Sequence, residues 1–398
     1  MRRTHASSVP VVSESPLVTP DFARIWMATF GAFLTFGMVV LALPLYVKDE
    51  LGYGSVGVGA AMGAASLTAI VFSPLSGRVA DRRGRRPLLL WGGAGMLTCY
   101  LGLALLPGLA GVGGIRLVAG AAEATFCIGA YTAAMDLAPE KRRGEAVSLI
   151  SLASYLGLTI GPVAGDLVRG DGRYRAVWLV TAAIALAATA VVATIRETKP
   201  ETEEAAHGWL PPRAALRPGL LVVVGLLGFG GFVAFAAIYA RDLGIERPGL
   251  VFALFGGTVA AVRFFGRRLP DALGARRMLE LSFVFLAIGL AVIGGWRSTT
   301  GLLVGTVVFA VGQAMTYPSA MLLAVESASA NERSAAVGSV GAAVDVALGL
   351  GAVTLGGVAK FIGYDGAFLV ASAVALSGLA ILRPMRPPAR IPLEEPAR

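Results

Sequence analysis

Charge is scarce in this sequence. Only 15% of its 398 residues are Asp, Glu, Lys or Arg, where a soluble domain carries about 25%. Hydrophobic residues make up 56%, and the mean hydropathy is +0.73. A soluble fold of this composition needs a larger core than the chain can enclose. Cysteine is nearly absent. Cys99 and Cys127 both fall inside apolar runs and offer neither a disulfide framework nor a metal site. The two histidines, His5 and His207, lie in polar segments, so histidine is not available as a proton carrier within a membrane. There is no Walker loop, no cluster of metal ligands and no nucleophile–base pair, which argues against an enzyme, a metalloprotein or an ATP-driven pump. Gly52-Tyr-Gly54-Ser-Val-Gly57 fits the dinucleotide fingerprint, but it follows an apolar run with no βαβ context and reads as a turn.

Long apolar runs are what the sequence has in abundance. A helix needs roughly 20 apolar residues to cross a bilayer. Runs of that kind fall at 22–47, 56–76, 87–106, 114–136, 145–167 and 175–195, then at 219–240, 248–266, 278–296, 300–323, 334–359 and 365–383. The first is too long for a signal-peptide core and reads as a retained helix. The expected architecture is an all-α membrane protein with twelve spans in two sets of six. Residues 1–21 form an N-terminal tail, 22–195 the first bundle, 196–218 a polar linker, 219–383 the second bundle and 384–398 a proline-rich tail.

A formal charge of +9 invites a nucleic-acid reading, which the placement of the charges excludes. With the N-terminus in the cytoplasm, 25 of the 34 basic residues fall in inside segments. This is the positive-inside asymmetry, and it predicts cytoplasmic termini in a cytoplasmic membrane. The sequence also repeats at an offset of 190 positions. Asp81 maps to Asp271, Gly84 to Gly274, Arg86 to Arg276, Asp136 to Glu326, Arg143 to Arg333 and Gly161 to Gly351. One offset holding from the second loop to the fifth helix predicts two halves that run the same way through the membrane.

The loop Gly77-Arg-Val-Ala-Asp81-Arg-Arg-Gly84-Arg85-Arg86 sits between two apolar runs. It resembles the signature loop of the major facilitator superfamily, whose members are twelve-helix transporters. The resemblance extends over about 22–383. It implies that Asp81 contacts the start of helix 11, and that Asp81, Arg85 and Asp136 form a charge cluster latching the cytoplasmic face. Gly77 is expected to allow close packing at the end of helix 2 and Gly84 a tight turn. The second copy keeps acids at Asp271 and Glu326, but Gly266-Arg-Arg-Leu-Pro270-Asp271 departs from the pattern.

In the fifth span, Gly157, Gly161 and Gly165 line one helix face, and Pro162 removes a backbone hydrogen bond. This GxxxGPxxG is similar to the motif of the proton-coupled antiporter branch. The chain has Asp166 where that motif has glycine, and Asp166 beside Arg169 reads as a surface ion pair. Ionisable groups inside spans are functional by default. Glu123 lies seven residues after Arg116 on one face of helix 4. Arg116 and Gly120 resemble the branch's fourth-helix motif, in which the arginine is tied to proton coupling. The repeat partner of Glu123 is Gln313, and Asp345 lies midway along helix 11 with no base within two turns. Tyr131, Tyr155, Tyr317 and Phe229 are further cavity candidates, although aromatics in helices more often serve packing.

The resemblance implies proton-driven efflux of a small amphipathic or hydrophobic compound. Arg116, Glu123, Gln313 and Asp345 would be at the coupling and substrate site, with the proton gradient as energy source and no cofactor or metal. Expected partners are a small molecule, protons and the bilayer, with no nucleic acid and the chain as a monomer. Uptake or facilitated passage of a polar nutrient, and a sensor or scaffold role, stay open.

Overall fold

The computed structural model describes residues 17–105, 108–198, 213–266, 269–328 and 333–383. The side chains of 141, 213–214, 269–272 and 333–337 also lie outside the described residues. Eleven α-helices account for nearly everything described. They are α1 (Pro20–Asp49), α2 (Ser55–Arg83), α3 (Arg86–Leu105), α4 (Leu109–Leu137), α5 (Arg143–Arg169) and α6 (Tyr174–Ala193), then α7 (Arg213–Asp242), α8 (Gly249–Phe265), α9 (Leu269–Gly295), α10 (Thr299–Ser327) and α11 (Arg333–Leu382). Ten are long and apolar enough to cross a membrane, and α8, at 17 residues, is a shorter apolar helix. The expectation of twelve spans meets one continuous run in α11, 50 residues long. That run is interrupted at Gly363, whose φ of 76° and ψ of 173° lie outside helical space.

Helix starts follow local chemistry. Thr19 Oγ1 accepts the Phe22 amide at 3.2 Å ahead of Pro20, and Ser298 Oγ accepts the Gly301 amide at 3.0 Å. Gly84 terminates α2 at φ 91°, and its repeat partner Gly274 breaks α9 at φ 76°. The two copies therefore share a backbone conformation that only glycine adopts without strain.

Small residues set the packing. Among the first six helices, α1 packs on α5 and α6, α4 on α2 and α3, and α3 on α6. Among the rest, α7 packs on α11 and α10, and α9 on α10 and α11. The glycine face of α5 lies on α1. A Cβ at Gly157 would meet the backbone of Phe30 and Leu34, and one at Gly165 would meet Met38 at 3.0 Å. Contacts between α1–α6 and α7–α11 run chiefly along α2·α11 and α5·α8, two pairs related by the repeat. They concentrate at the end of the molecule away from the basic loop. There Gly63 and Ser66 meet Gly349, Ser55 meets Gly356, and Thr159 meets Gly256. Toward the basic loop, a Cβ added at Gly77, Gly338 or Gly341 would touch nothing within 4 Å. Among the described residues nothing packs on Gly77, and the side chains at the start of α11 lie outside them.

Candidate functional site

A cavity of about 400 Å³ lies between α1, α2, α4, α7 and α11. A second lobe, about 440 Å³, lies between α4, α5, α7, α8, α10 and α11. Cys127, Leu158, Phe229, Val233, Val344 and Asp345 line both, so the two lobes adjoin. Most of the lining is apolar.

Arg116, Glu123 and Asp345 come together in the first lobe. Arg116 Nη1 donates to Glu123 Oε1 at 3.3 Å, and the arginine is 4% exposed. The seven-residue spacing on α4 makes the pair. Gly120, between them in sequence, lets α4 approach α2 where a Cβ would strike the Ala65 carbonyl and Thr68. Asp345, on α11, lines this lobe together with Glu123 and with Ser73 of α2, and among the described residues it is in no ion pair. Gln313 lines the other lobe with Tyr131, Tyr155 and Tyr317, and its Oε1 is buried without a hydrogen-bond partner among the described residues. Glu123 and its repeat partner thus face different lobes of one cavity.

At the level of the cavity Arg263 of α8 lies over the Tyr155 ring of α5, 4.2 Å from its centroid, and Ser73 of α2 and Asp345 of α11 both line the first lobe. The 190-residue offset relates the two pairs, since Ser73 maps to Arg263 and Tyr155 to Asp345.

At the basic-loop end, Arg85 donates through Nη1 to Asp81 Oδ1 and through Nε to Asp136 Oδ2, both at 2.9 Å. Glu197, which the sequence reading did not single out, completes this corner. Its Oε1 accepts the amides of Arg85 at 2.6 Å and Arg86 at 3.2 Å, capping α3. In the second copy, Glu326 is exposed and in no ion pair among the described residues. The Asp271 side chain lies outside the described residues, as do those at the start of α11, where the resemblance puts a partner for Asp81.

Asp166 is not a surface ion pair. Its side chain is 6% exposed, it accepts from Arg169 Nη2 at 3.0 Å, and it accepts the Gly249 amide at 3.0 Å. A carboxylate in the place of a glycine therefore caps the start of α8 and ties α5 to it. The same end holds a clasp absent from the sequence reading. Lys48 pairs with Asp242 at 2.9 Å, Asp49 pairs with Arg241, and Tyr174 donates to Asp49 at 2.6 Å. A basic–acidic dipeptide ends both α1 and α7, and each base takes the other helix's acid. Lys48 also lies over the Tyr364 ring, and Tyr364 is the repeat partner of Tyr174.

Ten long apolar helices among the described residues, around a mostly apolar internal cavity, define a multi-pass membrane protein. The Major Facilitator Superfamily sequence model matches residues 25–246 and 220–398, and the chain belongs to that family. It is a secondary transporter, not an enzyme. An uncharacterized MFS-type transporter of Salmonella typhimurium is 28% identical over 372 residues, covering 90% of this chain and 95% of the relative. One from Pseudomonas aeruginosa is 27% identical over 377 residues, covering 92% of each. Among solved structures, the nucleoside transporter NupG aligns with a TM-score of 0.79 at 13% identity, over 92% of this chain and all of that one. The human organic anion transporter TETRAN aligns at 0.70 and 19% identity, over 91% of this chain and 99% of that one. At such identities these two likenesses are likenesses of fold.

Proposed function

We propose that the protein exports a small amphipathic compound across the cytoplasmic membrane in exchange for protons. The observation that carries this reading is the pair of carboxyls, Glu123 and Asp345, in the wall of one mostly apolar cavity between α1–α6 and α7–α11. Carboxyls placed there stay only if they are paired, protonated or used. Glu123 has Arg116, whereas Asp345 is in no ion pair among the described residues. Asp345 is then the group that exchanges a proton for substrate, with Glu123 held ready by Arg116.

The machine consists of two six-helix bundles, 22–195 and 219–383, joined through 196–218. The break at Gly363 supports a twelfth span, because it divides α11 into stretches of 30 and 19 residues. Positive-inside placement puts the basic loop and both termini in the cytoplasm. In that orientation the cavity opens inward, with the clasp of Lys48, Asp49, Arg241 and Asp242 closing the outer side. Asp81, Arg85 and Asp136 form the inner latch that engages when the bundles rock the other way. The unit is a monomer, and its energy source is the proton gradient.

Reconstitution into proteoliposomes tests the reading. An imposed proton gradient is expected to drive an amphipathic substrate uphill, and an uncoupler to abolish that movement. Equal transport with and without the gradient would replace export by facilitated passage.

A further inference from the structure

The second lobe carries a cation that this scheme leaves unused. Arg263, in the last turn of α8, is in no ion pair among the described residues, and its Nε is buried without a hydrogen-bond partner. Holding a guanidinium in an apolar wall without an anion is costly. The Tyr155 ring offsets part of that cost through a cation–π contact. Positive-inside placement explains a basic residue in the loops at this end. It does not explain one in the cavity wall, stacked on a ring of the other half.

Beside Arg263 the lobe is aromatic. Phe229 and Phe255 stack with centroids 5.2 Å apart, and Tyr131 and Tyr317 add hydroxyls. The buried, unpartnered Gln313 Oε1 lies in the same wall. Asp345 lines this lobe too, and among the described residues it is in no ion pair with Arg263 or with another base. The cavity thus holds a base and an acid that, among the described residues, pair neither with each other nor with another charge, with flat apolar surface around them. Its complement is a flat body bearing charges of both signs.

We infer that the substrate class is an aromatic zwitterion, its carboxylate on Arg263 and its ammonium on Asp345. This rests on the transport reading and deepens it. A planar guanidinium matches a carboxylate through two parallel hydrogen bonds. An ammonium arriving at Asp345 stabilises the ionised carboxylate and so expels its proton, which is what exchange requires. A purely anionic substrate would do the opposite and hold the proton in place.

The test is equilibrium binding to the purified full chain in nanodiscs, with no gradient, read by naphthalene fluorescence. The probes are 6-(aminomethyl)-2-naphthoate, its methyl ester (a cation), 6-methyl-2-naphthoate (an anion) and the neutral methyl ester of the last. The zwitterion is expected to bind at least tenfold more tightly than the other three. Arg263→Gln should erase its advantage over the cationic ester, and Asp345→Asn its advantage over the anion. Arg263→Lys keeps the charge but not the fork, and should retain part of the preference at an unchanged unfolding midpoint. A singly charged or neutral probe binding as tightly as the zwitterion overturns the inference, as does an unchanged ratio in Arg263→Gln. Charge preference without proton exchange would leave the substrate class standing and remove the coupling. Proton exchange with a neutral probe would do the reverse.

Discussion

Single residues show where physical context decides what a sequence can only offer. Asp166 reads as a surface acid because hydropathy places it near a helix end, and nothing in the chain says that the start of α8 will cover it. Arg263 counts among the loop arginines for the same reason, although the offset of 190 pairs it with Ser73. Glu197 escapes notice because a capping acid in a polar segment looks like any other. Gly84 was legible, since glycine after an Asp-Arg-Arg run marks a turn. Its second role, making room for the Glu197 carboxylate, was not legible. Gly84→Ala places a Cβ on that carboxylate at φ 91°, so both strain and loss of the cap follow. Glu197→Ala should lower stability by about 1 kcal/mol, as for loss of a helix cap. Gly84→Ala should cost more, and the double variant less than the sum, because both disturb one contact. Thermal unfolding in detergent measures all three. Additive losses would mean that the two residues act separately.

Elements were more legible than their partners. Apolar run length finds the membrane helices, and α8 lies close to its expected 248–266. The gap expected between 359 and 365 contains Gly363, where the backbone leaves helical space without a turn. What run length does not encode is which helix ends meet. Lys48-Asp49 and Arg241-Asp242 lie 193 positions apart and show as a pair only once α1 and α7 are side by side. Exposed pairs like these contribute roughly 0–1 kcal/mol each. Such a latch is weak enough to open in every cycle and strong enough to bias a two-state balance several-fold. Arg241→Asp should therefore move the outer ends of α1 and α7 apart in a larger share of molecules, and adding Asp49→Arg should bring them back. Spin labels at Tyr53 and Glu246, with Cys99 and Cys127 replaced by alanine, read that distance. A distribution untouched by the charge reversal removes the latch.

At the scale of the whole molecule, the repeat is the organising fact. It relates α2·α11 to α5·α8, the cavity-lining Ser73 and Asp345 to Arg263 and Tyr155, and Tyr174 to Tyr364. The two copies have diverged where chemistry is needed. The first copy has Glu123, Ser73 and Tyr155 where the second has Gln313, Arg263 and Asp345. Cys127 lines both lobes and reports access to them. In a Cys99→Ala protein, a membrane-impermeant maleimide should modify Cys127 faster from the basic-loop side of oriented vesicles than from the other. Equal rates from both sides would contradict a cavity closed at the clasp.

The most direct test of proton exchange is substrate-triggered proton release in proteoliposomes. It compares wild type with Glu123→Gln and Asp345→Asn across amphipathic cations, neutral hydrophobic compounds and the zwitterionic naphthoate. Wild type should release protons on binding, and Asp345→Asn should bind at least one compound yet release none. Glu123→Gln should release fewer, because Arg116 then stands unpaired beside Asp345. Release and transport unchanged in both variants would contradict the account and leave a carrier indifferent to protons.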